Sequence, residues 1–107
     1  MANIYKNAKV DLTTTNNTTI YTAPSNSRAI IKSILVSEDS NNADTITFTI
    51  TDAADAVFSL FKEKNITAKT TEELLTHPMV MNTDEELKVQ AQNADDLHVV
   101  CSYLEVT

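Results

Sequence analysis

Thr45-Ile46-Thr47-Phe48-Thr49-Ile50-Thr51 is the stretch whose reading decides the fold. Ile46, Phe48 and Ile50 alternate with four threonines. That is period two with β-branched or aromatic residues throughout, which a helix would scatter around its circumference. The run predicts a strand with one face in a core and a threonine face toward water or a neighbour. The same alternation recurs further along the chain. Leu87, Val89 and Ala91 alternate with Lys88, Gln90 and Gln92. Leu97, Val99, Cys101 and Tyr103 alternate with His98, Val100, Ser102, Leu104 and Val106. The Asn93 to Asp96 cluster between them predicts a hairpin.

Upstream, Arg28 to Ser37 carries apolar residues on both faces. Strict alternation puts Ile30, Ile34 and Val36 with Lys32, and Ile31 with Leu35 on the opposite side. This pattern suits a central strand whose second face is covered by another chain. Weaker strand candidates are Lys9 to Thr13, Thr18 to Thr22, Val57 to Lys62, Glu72 to Thr76 and Met79 to Met81. Thr70 to Thr76 could open a capped helix, but His77-Pro78 would end it after little more than a turn. Strand or irregular backbone is the expectation there.

The 107 residues contain no glycine, but sixteen threonines and ten asparagines. Turns that need φ > 0 must therefore use Asn or Asp, the next most tolerant residues. Polar clusters fall at Asn16-Asn17, Pro24 to Asn26, Glu38 to Asp44, Asp52 to Asp55, Asn82 to Glu85 and Asn93 to Asp96. Short strands punctuated at this spacing predict an all-β fold. The expectation is one domain over 1–107, a small two-sheet antiparallel β-sandwich of jelly-roll type with about eight strands.

Composition also excludes function classes. Glycine-rich phosphate loops cannot be built, which removes P-loop and dinucleotide-binding readings. Fifteen acidic against eight basic side chains give a net charge of −7. That balance argues against nucleic acid or an anionic membrane surface as a partner. No run approaches the length of a membrane-spanning helix, and Met1 to Lys6 shows no apolar signal segment. The single cysteine, Cys101, can form neither an internal disulfide nor a zinc finger, and reads as a small core hydrophobe.

No catalytic, cofactor or metal residue is expected. His98 and Cys101, three apart in a strand, face opposite sides and make no dyad. His77 falls in a loop beside Pro78. The acidic clusters lack the spacing of a calcium loop and read as solvated turns. With three Tyr, three Phe and no Trp, aromatic platforms for sugars are scarce. The Asn-X-Thr sequons at Asn16, Asn17 and Asn65 read as products of a Thr- and Asn-rich chain. The candidate subunit-interface residues are Ile4, Tyr5, Ile31 and Leu35. Residues 1–8 are either the start of a first strand or an N-terminal docking arm that buries Ile4 and Tyr5 on a neighbour.

Several ordered blocks carry a resemblance. Tyr5-Lys6-Asn7-Ala8-Lys9-Val10-Asp11-Leu12-Thr13-Thr14-Thr15 is followed by Thr19-Ile20-Tyr21-Thr22-Ala23-Pro24 and by Arg28 to Ser37. Glu73-Leu74-Leu75 to Pro78, Leu87-Lys88-Val89 and Ser102-Tyr103-Leu104-Glu105-Val106 complete the order. In this order the chain resembles small virion structural proteins of tailed bacteriophages, notably those of marine bacteria and cyanobacteria. Glycines usual near Asn41-Asn42 and Asp84-Glu85 in that group are replaced here by Asn, Asp or Glu. The resemblance implies a virion component assembled in the host cytoplasm, with the major capsid protein or other virion proteins as partners. It carries over no catalytic residue. A capsid decoration or cement protein is the leading expectation. A neck, collar or tail accessory protein and a host- or glycan-binding adsorption module are the alternatives, and a small cysteine hydrolase is the enzyme alternative. Repetition of weak contacts around a symmetric homo-oligomer, such as a trimer, would supply the avidity.

Overall fold

The computed structural model describes residues 3–107. Its strands are β1 (Asn3–Asp11), β2 (Thr18–Thr22), β3 (Arg28–Glu38), β4 (Asp44–Thr51), β5 (Val57–Ile66), β6 (Thr71–Glu73), β7 (Met79–Met81), β8 (Glu86–Ala91) and β9 (Leu97–Val106). No helix occurs among the described residues. The Thr70 to Thr76 stretch is β6 followed by irregular backbone. Residues 3–8 of the expected arm belong to β1, which pairs with β9 without interruption. The arm's first two residues lie outside the described residues.

One sheet runs β1-β9-β3-β6, with β7 also paired to β3, and the other runs β2-β8-β4-β5. The hairpin expected at Asn93 to Asp96 does not form: β8 and β9 lie in different sheets, and that turn carries the chain across the sandwich. Every pairing is antiparallel. The partnerships β4 with β5, β3 with β6 and β7, β2 with β8 and β1 with β9 are those of one long hairpin with its tip at residues 52–56. Rolled over on itself, that hairpin distributes its rungs between two sheets. This is a jelly roll in which β6 and β7 are two halves of one strand. The break between the halves contains Pro78, whose missing N–H cannot continue the ladder.

The core lies between the sheets. Ile46, Phe48 and Ile50 of β4 enter it from one side, and Val99, Cys101 and Tyr103 of β9 from the other. Phe48 is fully buried and meets Phe61 edge to face, with centroids 6.5 Å apart. Thr45, Thr47 and Thr49 lie half-buried on the outer face of β4, in the register Thr49–Lys88 and Thr47–Gln90, whereas Thr51 at the strand's end is buried. Buried β4 apolar groups and a polar outer row follow directly from the period-two pattern.

Seven non-glycine residues among those described have positive φ, and five are Asn26, Asn41, Asp55, Asp84 and Asp95. Each falls in one of the predicted turn clusters. The other two are Glu63 and Lys69. Glu63 lies in β5, where two residues face Thr47 alone, and its N–H donates to Thr47 Oγ1 at 3.0 Å. The acidic turn residues bond backbone. Asp52 Oδ1 accepts from the N–H groups of Ala54 and Ala56 at 2.9 Å. Glu38, almost wholly buried, accepts from the N–H groups of Ser40, Asn41 and Lys69 and from the Ser40 hydroxyl.

Candidate functional site

The outer surface of the β1-β9-β3 sheet carries the exposed apolar side chains Tyr5, Leu35, Val80 and Val100, while Val57 and Phe58 are exposed on β5 of the other sheet. Register places Tyr5, Leu104, Ile30 and Val80 directly beside one another on β1, β9, β3 and β7. Tyr5 is 74% exposed and Val80 58% exposed. A second, shorter row joins Lys9, Val100 and Leu35. Between the rows lie Asn7, Ser102, Ser33 and the exposed Lys32. Near the chain's end, Arg28, Ile30, Val80 and Val106 line a shallow depression of about 590 Å³. Basic side chains (Lys9, Arg28 and Lys32) flank these rows on a protein whose net charge is −7.

The candidate interface residues separate into three situations. Tyr5 and Leu35 both lie on this outer surface, Leu35 being opposite Val100 and 39% exposed. Ile4 pairs with the inward-facing Glu105 and is half exposed at the end of the sheet. Ile31 is a correction, because it is fully buried in the protein's own core. The cause is a bulge. β3 has Ile31 opposite Tyr103 and Ser33 opposite Ser102, so Lys32 is an extra residue. An extra residue reverses the face of everything after it. Ala29, Ile31, Ile34 and Val36 therefore all point inward, while Ile30, Lys32 and Leu35 point outward.

The bulge has its own partner. Glu73 accepts from the Ile34 N–H at 2.7 Å and from the Ser33 hydroxyl, and the Leu74 N–H donates to the Ile34 carbonyl at 2.9 Å. A carboxylate fills the place of the ladder bonds lost between β6 and β7.

The titratable groups are organised as structural ties. Tyr21 donates to Glu105 Oε2 at 2.7 Å, and Lys6 Nζ donates to Oε1 at 2.9 Å. The Tyr21 bond holds the Glu105 carboxyl below its usual range; burial opposes this and Lys6 assists. Burial first, and then the carboxylate, raises the Tyr21 phenol. Burial pushes the Cys101 thiol up to about 12, which keeps it protonated and poorly nucleophilic at neutral pH. His98 lies on the opposite face, 3.2 Å from Asp11 and 3.9 Å from Asp39. His77 is exposed in the loop beside Pro78. Among the described residues, no group of three or more His, Cys, Asp or Glu is placed to hold a metal ion.

Sequence reasoning missed Ile30, Leu104 and Val80 as members of the apolar row. Each sits in an alternating run, so its outward face was readable in principle. Their alignment depends on strand register, which no local pattern specifies. The amino-acid sequence matches no protein-family model and no curated protein.

Proposed function

We propose that this protein is a structural component of a tailed-bacteriophage virion, a decoration protein that braces the outer head by non-covalent contacts. The observation that carries the reading is the row Tyr5–Leu104–Ile30–Val80, which crosses four strands of a jelly roll and is flanked by Lys32 and Arg28. Solvent-exposed apolar residues collected into one band mark a binding surface more than scattered ones do. The surrounding cations suit an acidic partner, such as an exposed carboxylate-rich surface of a capsid protein. Two sheets fixed by a full core present this row rigidly, so little ordering entropy is lost on docking. On this reading the protein acts by being bound in place and not by catalysis. The resemblance of the ordered sequence blocks to small virion structural proteins is in line with the same reading.

Copy number per particle, measured by quantitative mass spectrometry of purified virions, tests it. Head decoration requires tens to hundreds of copies, because icosahedral symmetry repeats each site. A count of about a dozen or fewer would instead place the protein at a single vertex, in the neck or tail. Val80→Asp should remove it from the particle while leaving the isolated chain folded, because Val80 lies outside the core. Unchanged occupancy of the head by that variant would sink the assignment of this surface.

A further inference from the structure

We infer that the free edge of β1 is a self-association site, which joins two copies of this chain through an antiparallel β1–β1 ladder about a two-fold axis. The inference does not depend on the virion role.

The sandwich has four strand edges, and three are blunted. β2 is five residues long and bulged at Ile20. β5 carries two register shifts and the positive-φ Glu63 between Lys62 and Lys64. The β6/β7 edge consists of two three-residue pieces separated by Pro78. Bulges, charges, proline and short length are the devices that keep sheet edges from pairing. β1 carries no bulge, break or proline. Its nine residues, Asn3 to Asp11, pair with β9 without a register shift. Its lysines are engaged locally, Lys6 with Glu105 and Lys9 with the Asn7 side chain.

Backbone geometry fixes which groups are open. The Leu12 N–H donates to the Leu97 carbonyl at 3.0 Å, in continuation of the β1–β9 register. Antiparallel strands bond the same neighbour at every second residue. The even-numbered positions of β1 thus face β9. Asn3, Tyr5, Asn7 and Lys9 direct their N–H and carbonyl groups away from the sheet.

The register that overlaps the whole strand with a second copy puts Asn7 on the two-fold axis. Tyr5 then lies opposite Lys9 of the second copy, and Asn3 opposite its Asp11. On the inner side, the half-exposed Ile4 meets Val10, and Lys6 meets Ala8. Opposite residues share a face, as an antiparallel pair requires, and no two like charges are opposed. Tyr5 against Lys9 is also a favourable ring–cation pairing. This register links the two outer rows end to end. Val80–Ile30–Leu104–Tyr5 of one copy continues into Lys9–Val100–Leu35 of the other, and symmetry repeats the connection.

Sedimentation equilibrium of the purified full chain tests the inference. The wild type should be a dimer in the micromolar range. Asn7→Pro should be monomeric with a native circular-dichroism spectrum, since the lost N–H points away from the chain's own sheet. Tyr5→Lys, at an exposed position, opposes two like charges by symmetry and should weaken the dimer about tenfold or more. Tyr5→Glu should retain the dimer and make it salt-sensitive. If Asn7→Pro unfolds the chain, the two Tyr5 variants decide. A monomeric or trimeric wild type would overturn the inference, and so would a dimer equally tight in Tyr5→Lys and Tyr5→Glu.

Discussion

The Tyr21 phenol on β2 donates to Glu105 Oε2 on β9 across 2.7 Å, and so ties the two sheets through a hydrogen bond between buried groups. The Tyr103 ring stacks at a tilt on Tyr21, with centroids 4.1 Å apart. Lys6 satisfies the second carboxylate oxygen from the sheet edge. The inward position of Glu105, at the end of an otherwise apolar alternation, is tolerated because both oxygens have partners.

Tyr21→Phe keeps the ring packing and removes only the donor. It leaves one oxygen of a buried carboxylate unsatisfied. The expected loss is about 1.5–3 kcal/mol of unfolding free energy, the range for hydrogen bonds to charged groups. Urea titration measures it, and an unchanged midpoint would show that the tie contributes nothing.

Acid should destabilise the fold through two carboxylates. Glu105 and Glu38 both titrate below the ordinary value of 4.5 in the folded protein. At Glu38 burial opposes ionisation, but hydrogen bonds from Ser40, Lys69 and Asn41 outweigh it. A folded pKa below the unfolded one gives stability that is present above 4.5 and is lost as pH falls through the folded value. Melting temperature should therefore hold from neutral pH to near 4.5 and decline below it. Glu38→Gln and Glu105→Gln should each flatten that decline; a slope unaltered in both would refute the assignment.

Alkali acts through the opposite sign. The Cys101 thiol is raised from 9.0 to about 12. Above pH 9 the unfolded thiol ionises while the folded one does not, so this contribution to stability is lost between those values. Thiol labelling reports the same burial. An aromatic disulfide reagent at pH 8 should react with Cys101 only as fast as the chain opens, and labelling should accelerate in parallel with unfolding in urea. Rapid labelling of the native protein would contradict a thiol sealed in the core.

Ile31 and Leu35 should differ sharply although they lie four residues apart on one strand. Ile31→Ala empties a fully buried site and should cost about 2–5 kcal/mol. Leu35→Ala, on the outer face, should cost about 0.5 kcal/mol or less in the isolated chain. Equal losses would mean that the bulge at Lys32 is absent.

Lys69 has φ of 58° with no glycine, Asn or Asp to ease it. Lys69→Gly removes a Cβ penalty of about 1–2 kcal/mol and adds an unfolded-state entropy loss of about 0.5–1 kcal/mol. The N–H that binds Glu38 is retained. A net gain of up to about 1.5 kcal/mol in chemical denaturation is expected, and a loss would show that the lysine stem packs usefully there.

Much of the architecture was readable locally. β4 followed from seven alternating residues, and β2 and β7 have the bounds that their short runs suggested. The turns were marked by Asn and Asp because, without glycine, those are the residues that reach positive φ at least cost. Ile31 does not share a face with Leu35, as alternation predicts, for a definite reason. Alternation assumes a regular strand, and a single extra residue at Lys32 reverses the parity beyond it. The partner that makes the bulge tolerable, Glu73, lies forty residues away in the chain.

By itself the sequence determined the class of fold, because side-chain period and turn chemistry are local properties. It also determined the lack of a phosphate-cradling loop, since no glycine is available to form one. Only the tertiary structure decided which apolar residues are surface and which are core. Register, a relation between strands distant in sequence, brings Tyr5, Leu104, Ile30 and Val80 into one row and withdraws Ile31 from the surface. It also decided that β1 is the unbroken edge, because an edge exists only once the other strands have found their places.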